Sequence, residues 1–109
     1  DGSASNAQLI SVPIATRGAS SATNTFSWFN ETSLDLNEYL AFDVSTDGGT
    51  TWTEKARLRA NQDPENAWRP VQVNLTGLAP TASLRLRFRG TMSDSTEDAN
   101  LDNVLVTVQ

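Results

Sequence analysis

The sequence predicts an all-β protein, an antiparallel β-sandwich of about seven to eight strands. Three observations favour this fold class. Short segments in which apolar and polar residues alternate are separated by clusters of Gly, Pro, Asn, Asp and Ser. Helical periodicity is nearly absent, since the only candidate, residues 33–39, is short and polar. One segment, S-T-D-G-G-T-T-W at residues 45–52, has the composition of a tight turn between two strands.

The turn segment predicts a β-hairpin in which turn chemistry accounts for every residue. Asp47 is able to accept hydrogen bonds from backbone N–H groups of the turn. Gly48 and Gly49 tolerate the positive φ that a tight hairpin requires. Trp52 is large enough to pack under the turn and hold it in place. We therefore interpret Asp47 and Trp52 as structural residues.

The remaining strands follow from period-two alternation between turn signals. The clearest one alternates Leu84, Leu86 and Phe88 with three arginines. Pro13 restricts the first strand to a sheet edge or a strand end. The predicted strands span residues 8–14, 25–29, 38–45, 51–58, 68–75, 83–90 and 100–108.

Composition excludes several classes of function. The chain of 109 residues, with a predicted single domain over 1–109, contains no cysteine and no histidine. This excludes disulfides, thiol nucleophiles and the commonest general base. A net charge of −5 argues against nucleic acid and anionic membranes as partners. No apolar run approaches the ~18 residues of a membrane span. We expect a monomer.

Two segments carry a family resemblance. Residues 45–52 fit S-x-D-x-G-x-T-W and resemble the Asp-box, a hairpin motif found mostly in secreted proteins that handle carbohydrate. With the closing L-D-N-V at residues 101–104, residues 22–108 resemble the β-jelly-roll accessory domains of bacterial secreted hydrolases and proteases. The chain is also similar to jelly-roll carbohydrate-binding modules and, more distantly, to MAM domains. The resemblance implies a jelly-roll sandwich that is secreted as part of a larger protein.

The resemblance also implies a structural calcium ion. In these relatives the aspartate of the last strand commonly helps to bind calcium, and this role falls on Asp102. Asp102 alternates in step with the valines that follow it, so we expect it to face the apolar side. Asp1 and carbonyl groups of the opening loop are the expected further ligands. Two alternatives stay open, a salt bridge from Arg17 and a capping hydrogen bond. The acidic loop at residues 94–98 is expected to be solvated.

Three arginines are the main candidates for ligand binding. Arg85, Arg87 and Arg89 share one strand face, where guanidinium groups are able to donate to sugar hydroxyls or to an acidic glycan. Asp43 lies on another strand and is expected to join this site. Alternatively, Asp43 and Glu38 form ion pairs with the arginines from a neighbouring strand, as a cross-strand ladder.

Tyr39 and Trp68 are the expected aromatic contacts for a sugar. Tyr39 alternates out of step with Leu40, so we expect it to be exposed. Trp68 follows a polar loop and opens a strand, which favours a position at a rim. Trp28 shares its parity with Phe26 and is expected in the core.

The sequence therefore predicts a non-catalytic carbohydrate-binding module that targets a parent secreted enzyme to a polysaccharide. Catalysis is not expected, because the sandwich-glycosidase motif E-x-D-x-x-E is absent and no carboxylates stand in a recognised spacing. The alternative is a structural or protein-interaction domain, a spacer or an adhesin module. Aromatic side chains beside the arginines favour sugar binding, whereas fully paired arginines favour the alternative.

Overall fold

A computed structural model of the chain describes residues 5–94 and 96–109. It confirms the predicted all-β class, with seven strands and no α-helix in these ranges. Within them, no helix is long and apolar enough to cross a membrane. The strands are β1 (Ser5–Ile10), β2 (Ala22–Asn30), β3 (Tyr39–Ser45), β4 (Thr53–Arg59), β5 (Arg69–Leu75), β6 (Arg85–Met92) and β7 (Ala99–Val108).

The strands form two antiparallel sheets, as predicted for a β-sandwich. Sheet 1 has the strand order β1-β6-β3-β4, and sheet 2 has the order β5-β2-β7. Of these pairings, β3 with β4 joins strands that are consecutive in the chain, whereas β1–β6, β3–β6, β2–β5 and β2–β7 join distant segments. The site described below depends on the β3–β6 pairing.

An aromatic cluster fills the space between the sheets. Phe26 and Trp28 come from β2, and Phe42 and Phe88 come from β3 and β6, and all four are buried. The Phe26 ring centroid lies 4.8 Å from that of Phe42 and 5.1 Å from that of Phe88. Such aromatic pairs contribute about 0.5–1.5 kcal/mol each beyond the burial of their area. The prediction that Trp28 belongs to the core is confirmed.

Several strands begin or end at residues other than those predicted, and the largest differences are in β1, β2 and β6. Residues 33–38 form turns and irregular backbone that lead into β3 at Tyr39, in line with the expectation that this short, polar segment is not a helix. The first strand ends at Ile10, and beyond Pro13 a single bridge pairs Ile14 with Leu84. Because proline has no N–H group, it cannot continue the hydrogen-bond ladder. β6 extends beyond the predicted end at Gly90 to Met92, and β2 begins earlier than predicted, at Ala22.

The prediction that Asp102 faces inward is wrong. The register of β7 against β2 shifts between the pairs Thr25–Leu105 and Ser27–Asp102, which leaves one extra residue in β7. Asn103 adopts a φ of 55° at this bulge, and a bulge reverses the side on which the preceding residues point. Asp102 is therefore exposed, and its Oδ1 accepts a hydrogen bond of 2.8 Å from the Asn103 N–H. Asp1, its predicted co-ligand, lies outside the described residues.

Candidate functional site

The hairpin turn between β3 and β4 has the hydrogen bonds that its sequence predicts. The Asp47 carboxylate accepts from the Thr51 N–H at 2.8 Å and from the hydroxyl groups of Thr51 and Ser45. Because these groups stabilise its charge, Thr51 foremost, the pKa of Asp47 falls to about 2. Gly48 and Gly49 have φ angles of 77° and 98°. The structural role predicted for Asp47 is confirmed, and the turn fixes where β4 starts.

β6 presents the three predicted arginines on the outer side of sheet 1. Their neighbours Leu84, Leu86 and Phe88 are buried, so the alternating residues point away from the core. The β3–β6 register places Asp43 opposite Arg87 and Ser45 opposite Arg85. We call this surface the arginine face; it consists of Tyr39, Asp43, Trp52, Glu54, Arg57, Arg85, Arg87 and Arg89.

Asp43 is the electrostatic centre of the arginine face. The side chain is 1% exposed, and its Oδ2 accepts from Arg87 Nε at 2.8 Å and from Arg89 Nε at 2.5 Å. Arg89 Nη2 donates to Oδ1 at 3.0 Å, which makes that pair bidentate. Burial alone would raise the pKa of Asp43, but the bonds and charges of Arg89 and Arg87 outweigh it and lower that pKa. The predicted ladder of ion pairs therefore exists at Asp43.

Glu54 and Tyr39 extend the network to the β4 side. Glu54 Oε1 accepts from Arg89 Nη2 at 2.8 Å and from Arg57 Nη2 at 2.7 Å. The Arg57 guanidinium lies 3.8 Å from the Tyr39 ring centroid, and Arg89 Nη1 donates to the Tyr39 hydroxyl at 3.2 Å. A hydrogen bond with Thr91 and then the charge of Arg89 lower the pKa of Tyr39. Tyr39 is thus half-buried among arginines rather than freely exposed.

Trp52 occupies the opposite end of the arginine face, under the hairpin turn. The Arg87 guanidinium carbon lies 4.5 Å from the Trp52 ring centroid, within the range of a cation–π contact. Gly49 brings Trp52 and Arg85 together, because a Cβ at Gly49 would lie 3.6 Å from Trp52 Cζ2 and 3.5 Å from Arg85 Cδ. Sequence reasoning had assigned Trp52 to the turn alone. The structure gives it a second contact, with the arginine face.

Trp68 lies apart from the arginine face. It precedes β5 in sheet 2, is 51% exposed, and its ring centroid is 5.6 Å from that of Phe29 on β2. The structure therefore brings together Tyr39, Asp43 and the three arginines, but leaves Trp68 on the other sheet. Glu38, the second carboxylate of the predicted ladder, is also elsewhere, since it points into the interior at the start of β3.

Three carboxylates that sequence reasoning did not group lie close together at one end of sheet 1. Glu38 and Glu97 are buried, and both accept from the Ser93 N–H, at 2.6 and 2.7 Å. Their Oε2 atoms also accept from the N–H groups of Asp35 and Asp94. One oxygen from each of Asp35, Glu38 and Glu97 lies within 4.8 Å of the others, close enough to hold one metal ion. We call these three residues the carboxylate cluster.

The charge state of this cluster follows from its hydrogen bonds. Burial alone would raise the pKa of Glu38, but hydrogen bonds from Ser93 and from the Asp35 N–H outweigh it, and the pKa is lowered. Among the described residues, no Lys or Arg forms an ion pair with Glu38 or Glu97. A hard cation that prefers oxygen ligands fits this donor set.

The sequence contained one signal for the cluster, the acidic loop at residues 94–98. We expected that loop to be solvated, and this is wrong for Glu97, which is 6% exposed. Glu97 reaches Glu38 because β3 and β6 pair with Tyr39 opposite Thr91. A contact between residues so distant in the chain has no local pattern from which to read it.

Comparisons with known proteins address the fold. Neither a scan of protein-family models nor a search of curated proteins finds a match. Among solved structures, the chain is similar to one described as "CBM4 structure and function", a carbohydrate-binding module. The identity is 18%, the TM-score is 0.55, and the match covers 99% of this chain and 79% of the other. The similarity supports the jelly-roll type of β-sandwich predicted from the sequence.

Proposed function

We propose that this chain is a non-catalytic carbohydrate-binding module and that the arginine face holds the glycan. The observation that carries the proposal is the composition of that face. Guanidinium groups and the rings of Tyr39 and Trp52 alternate along a rigid sheet, held by Asp43 and Glu54. Planar donors of this kind match the oxygen atoms of sugars, and the fold is similar to that of a carbohydrate-binding module.

The state of Asp43 favours binding over catalysis. A glycosidase requires one carboxyl group that keeps a proton and a second carboxylate about 5–10 Å away. Asp43 instead forms ion pairs with Arg87 and Arg89, and its pKa is lowered, so it is not suited to donate a proton at neutral pH. Glu54 is held in the same way by Arg57 and Arg89.

The proposed biological role is proximity in a secreted enzyme. A binding module linked to a catalytic domain raises the concentration of polysaccharide near that domain without a new contact to the active site. This role requires only a rigid binding surface and a linker. A net charge of −5 suits an extracellular protein that has to remain soluble.

We propose calcium as the ion of the carboxylate cluster. Asp35, Glu38 and Glu97 supply carboxylate oxygens, which calcium prefers, and two of the three groups are buried without a cationic side chain. Calcium there would link the loop before β3 to the loop before β7. Asp102, the ligand that the family resemblance implied, is exposed, and we do not assign it to this cluster.

One observation favours the alternative, a structural or protein-interaction domain. Arg89 donates to Asp43, Glu54 and Tyr39, so its donors are used within the protein. An arginine engaged in this way stabilises the sheet whether or not a ligand binds. The two functions therefore differ in whether Arg85 and Arg87, which make fewer hydrogen bonds within the protein, bind a ligand.

Affinity electrophoresis tests the proposal. The folded protein is run through gels that contain soluble neutral or acidic polysaccharides, with calcium and with chelator. We expect at least one polysaccharide to retard the wild-type chain and Arg87→Gln to reduce the retardation. Trp68→Ala is the matched control on sheet 2, and it should run like wild type because Trp68 lies away from the arginine face.

The outcomes separate the two functions. Loss of retardation in Trp68→Ala but not in Arg87→Gln would move the binding site to sheet 2. No retardation by any polysaccharide, from protein with a cooperative unfolding transition, would favour the structural or interaction domain.

A further inference from the structure

We infer that the ligand of the arginine face is an anionic glycan, one that carries carboxylate or sulfate groups. This inference rests on the proposed function and narrows it. It follows from the charge of the face, from the donors that remain free, and from the way the aromatic rings are covered.

The arginine face is positive although the protein is acidic. Four arginines, at positions 57, 85, 87 and 89, face two carboxylates, Asp43 and Glu54, which leaves two positive charges in excess. The whole chain has a net charge of −5, so the rest of it has a net charge of −7. Random placement of charged residues on an acidic protein does not favour such a patch. A patch of this sign attracts anions.

The excess charge belongs mainly to Arg85 and Arg87. Arg89 and Arg57 both donate through two nitrogens to carboxylates. Arg87 reaches Asp43 through Nε alone, which leaves the two terminal nitrogens of its guanidinium without an acceptor in the described part of the chain. Arg85 forms no ion pair there either, and its buried Nε has no acceptor. Two cationic groups with free terminal donors thus project from alternate positions of one strand, about 7 Å apart.

Arg85 and Arg87 are held in place before any ligand arrives. The Arg85 side chain lies against Gly49, and the Arg87 guanidinium lies against the Trp52 ring. Arg87 is also anchored by its Nε bond to Asp43. Side chains fixed in this way lose little conformational entropy when they bind a ligand. Their geometry suits the planar recognition of carboxylate or sulfate oxygens.

The aromatic rings offer little surface for stacking by a neutral sugar. One face of Tyr39 is covered by Arg57 at 3.8 Å, and one face of Trp52 is covered by Arg87 at 4.5 Å. A neutral pyranose ring that stacked on these faces would have to displace Arg57 or Arg87, and it would leave Arg85 without a counter-ion in the described part of the chain. An anionic group would instead bind Arg85 and Arg87 where they already lie, because a negative charge stabilises the charged form of both guanidinium groups.

The test compares glycans that differ in charge alone. Wild-type protein is run in affinity gels that contain polygalacturonate or fully methyl-esterified polygalacturonate, and then chondroitin sulfate or unsulfated chondroitin. We expect the carboxylate polymer to retard the protein and its methyl ester to have at least about tenfold less effect, as expected for losing charged hydrogen bonds. Within the chondroitin pair, stronger retardation by the sulfated polymer would assign the sulfate, and equal retardation would assign the carboxylate.

Matched variants test the residues. Arg85→Gln and Arg87→Gln should each weaken retardation about tenfold, and added salt should weaken it in wild type. Arg69→Gln removes the same charge from β5 of sheet 2 and should have no effect. Polyglutamate, an anionic polymer without sugar, should not retard the protein.

The outcomes keep this inference separate from the proposed function. Equal retardation by polygalacturonate and its methyl ester would overturn the inference and leave a neutral-sugar module. Retardation by polyglutamate, or an equal loss in Arg69→Gln, would overturn it as unspecific charge attraction. No retardation by any charged or neutral polysaccharide would remove the proposed function itself.

Discussion

Two sets of buried carboxylates lie in and beside sheet 1, and their charges are stabilised in different ways. Asp43 is 1% exposed and forms ion pairs with two guanidinium groups. Glu38 and Glu97 are 5% and 6% exposed and accept hydrogen bonds from backbone N–H groups, above all that of Ser93. The arginines balance the charge of Asp43, whereas amide groups supply hydrogen bonds but no net charge. The negative charge of Asp43 is therefore already compensated within the protein, whereas the carboxylate cluster is suited to bind a cation.

Removing the charge of Asp43 should have the largest effect on stability. Asp43→Asn leaves Arg87 and Arg89 half-buried without their main counter-ion, and breaking a buried ion pair from one side costs about 3 kcal/mol. Urea unfolding measures the change in the free energy of unfolding. A loss below about 1 kcal/mol, as is typical of exposed pairs, would mean that solvent already screens this site.

Calcium should stabilise the folded protein by binding to the carboxylate cluster and not to Asp43. At a calcium concentration about 100-fold above the Kd, binding raises the free energy of unfolding by about 2.7 kcal/mol. Glu97→Gln should abolish this gain, because it removes a buried ligand, whereas Asp102→Asn should retain it. The measurement is thermal unfolding with calcium and with chelator.

The calcium prediction has two distinct ways to fail. An unfolding midpoint that is the same in calcium and in chelator would contradict calcium binding. A gain that disappears in Asp102→Asn and persists in Glu97→Gln would return the ion to the last strand.

Acid should distinguish Asp43 from its amide variant. The folded-state pKa of Asp43 lies below the ordinary value of 3.8, so its stabilising contribution is present above that value and is lost as the pH falls through the folded-state pKa. Each proton bound in excess by the unfolded state changes stability by about 1.4 kcal/mol per pH unit. Wild type should therefore lose more stability below pH 3.8 than Asp43→Asn does. Parallel pH profiles of the two proteins would contradict the ion-pair account.

Glu54 should show how much burial matters within the same network. Its carboxylate also contacts two arginines, but its side chain is 36% exposed. Glu54→Gln should cost about 0.5 kcal/mol, the range measured for exposed ion pairs. The same urea titration measures it, and a loss equal to that of Asp43→Asn would show that burial is not the deciding factor.

The fold was predictable where local patterns were strong. Alternation around Leu84, Leu86 and Phe88 identified β6, and the Asp47–Gly48 turn identified the hairpin. An ion-pair ladder between Asp43 and the arginines was one of two alternatives that the sequence left open, because guanidinium groups on one strand face need carboxylates on a neighbouring strand. Its second member, Glu38, was wrong.

The remainder depended on irregularities and distant contacts. A single extra residue at Asn103 reversed the direction of Asp102, and no composition rule announces such a bulge. Glu38 meets Glu97 through the register of β6 against β3, which only tertiary pairing sets. Alternation along a strand therefore does not give the direction of a side chain beyond a bulge, and local sequence patterns do not show which distant segments pair.

The position of β6 in sheet 1 has a kinetic consequence. This strand lies between β1 and β3, yet it comes next to last in the chain. Closing such long loops costs entropy before their contacts form, so we expect refolding in milliseconds to seconds, as for other proteins dominated by non-local strand pairing. The β3–β4 hairpin requires no long loop and is free to form early. The arginines reach Asp43 only when β6 pairs with β3, so the arginine face cannot form before this distant pairing does.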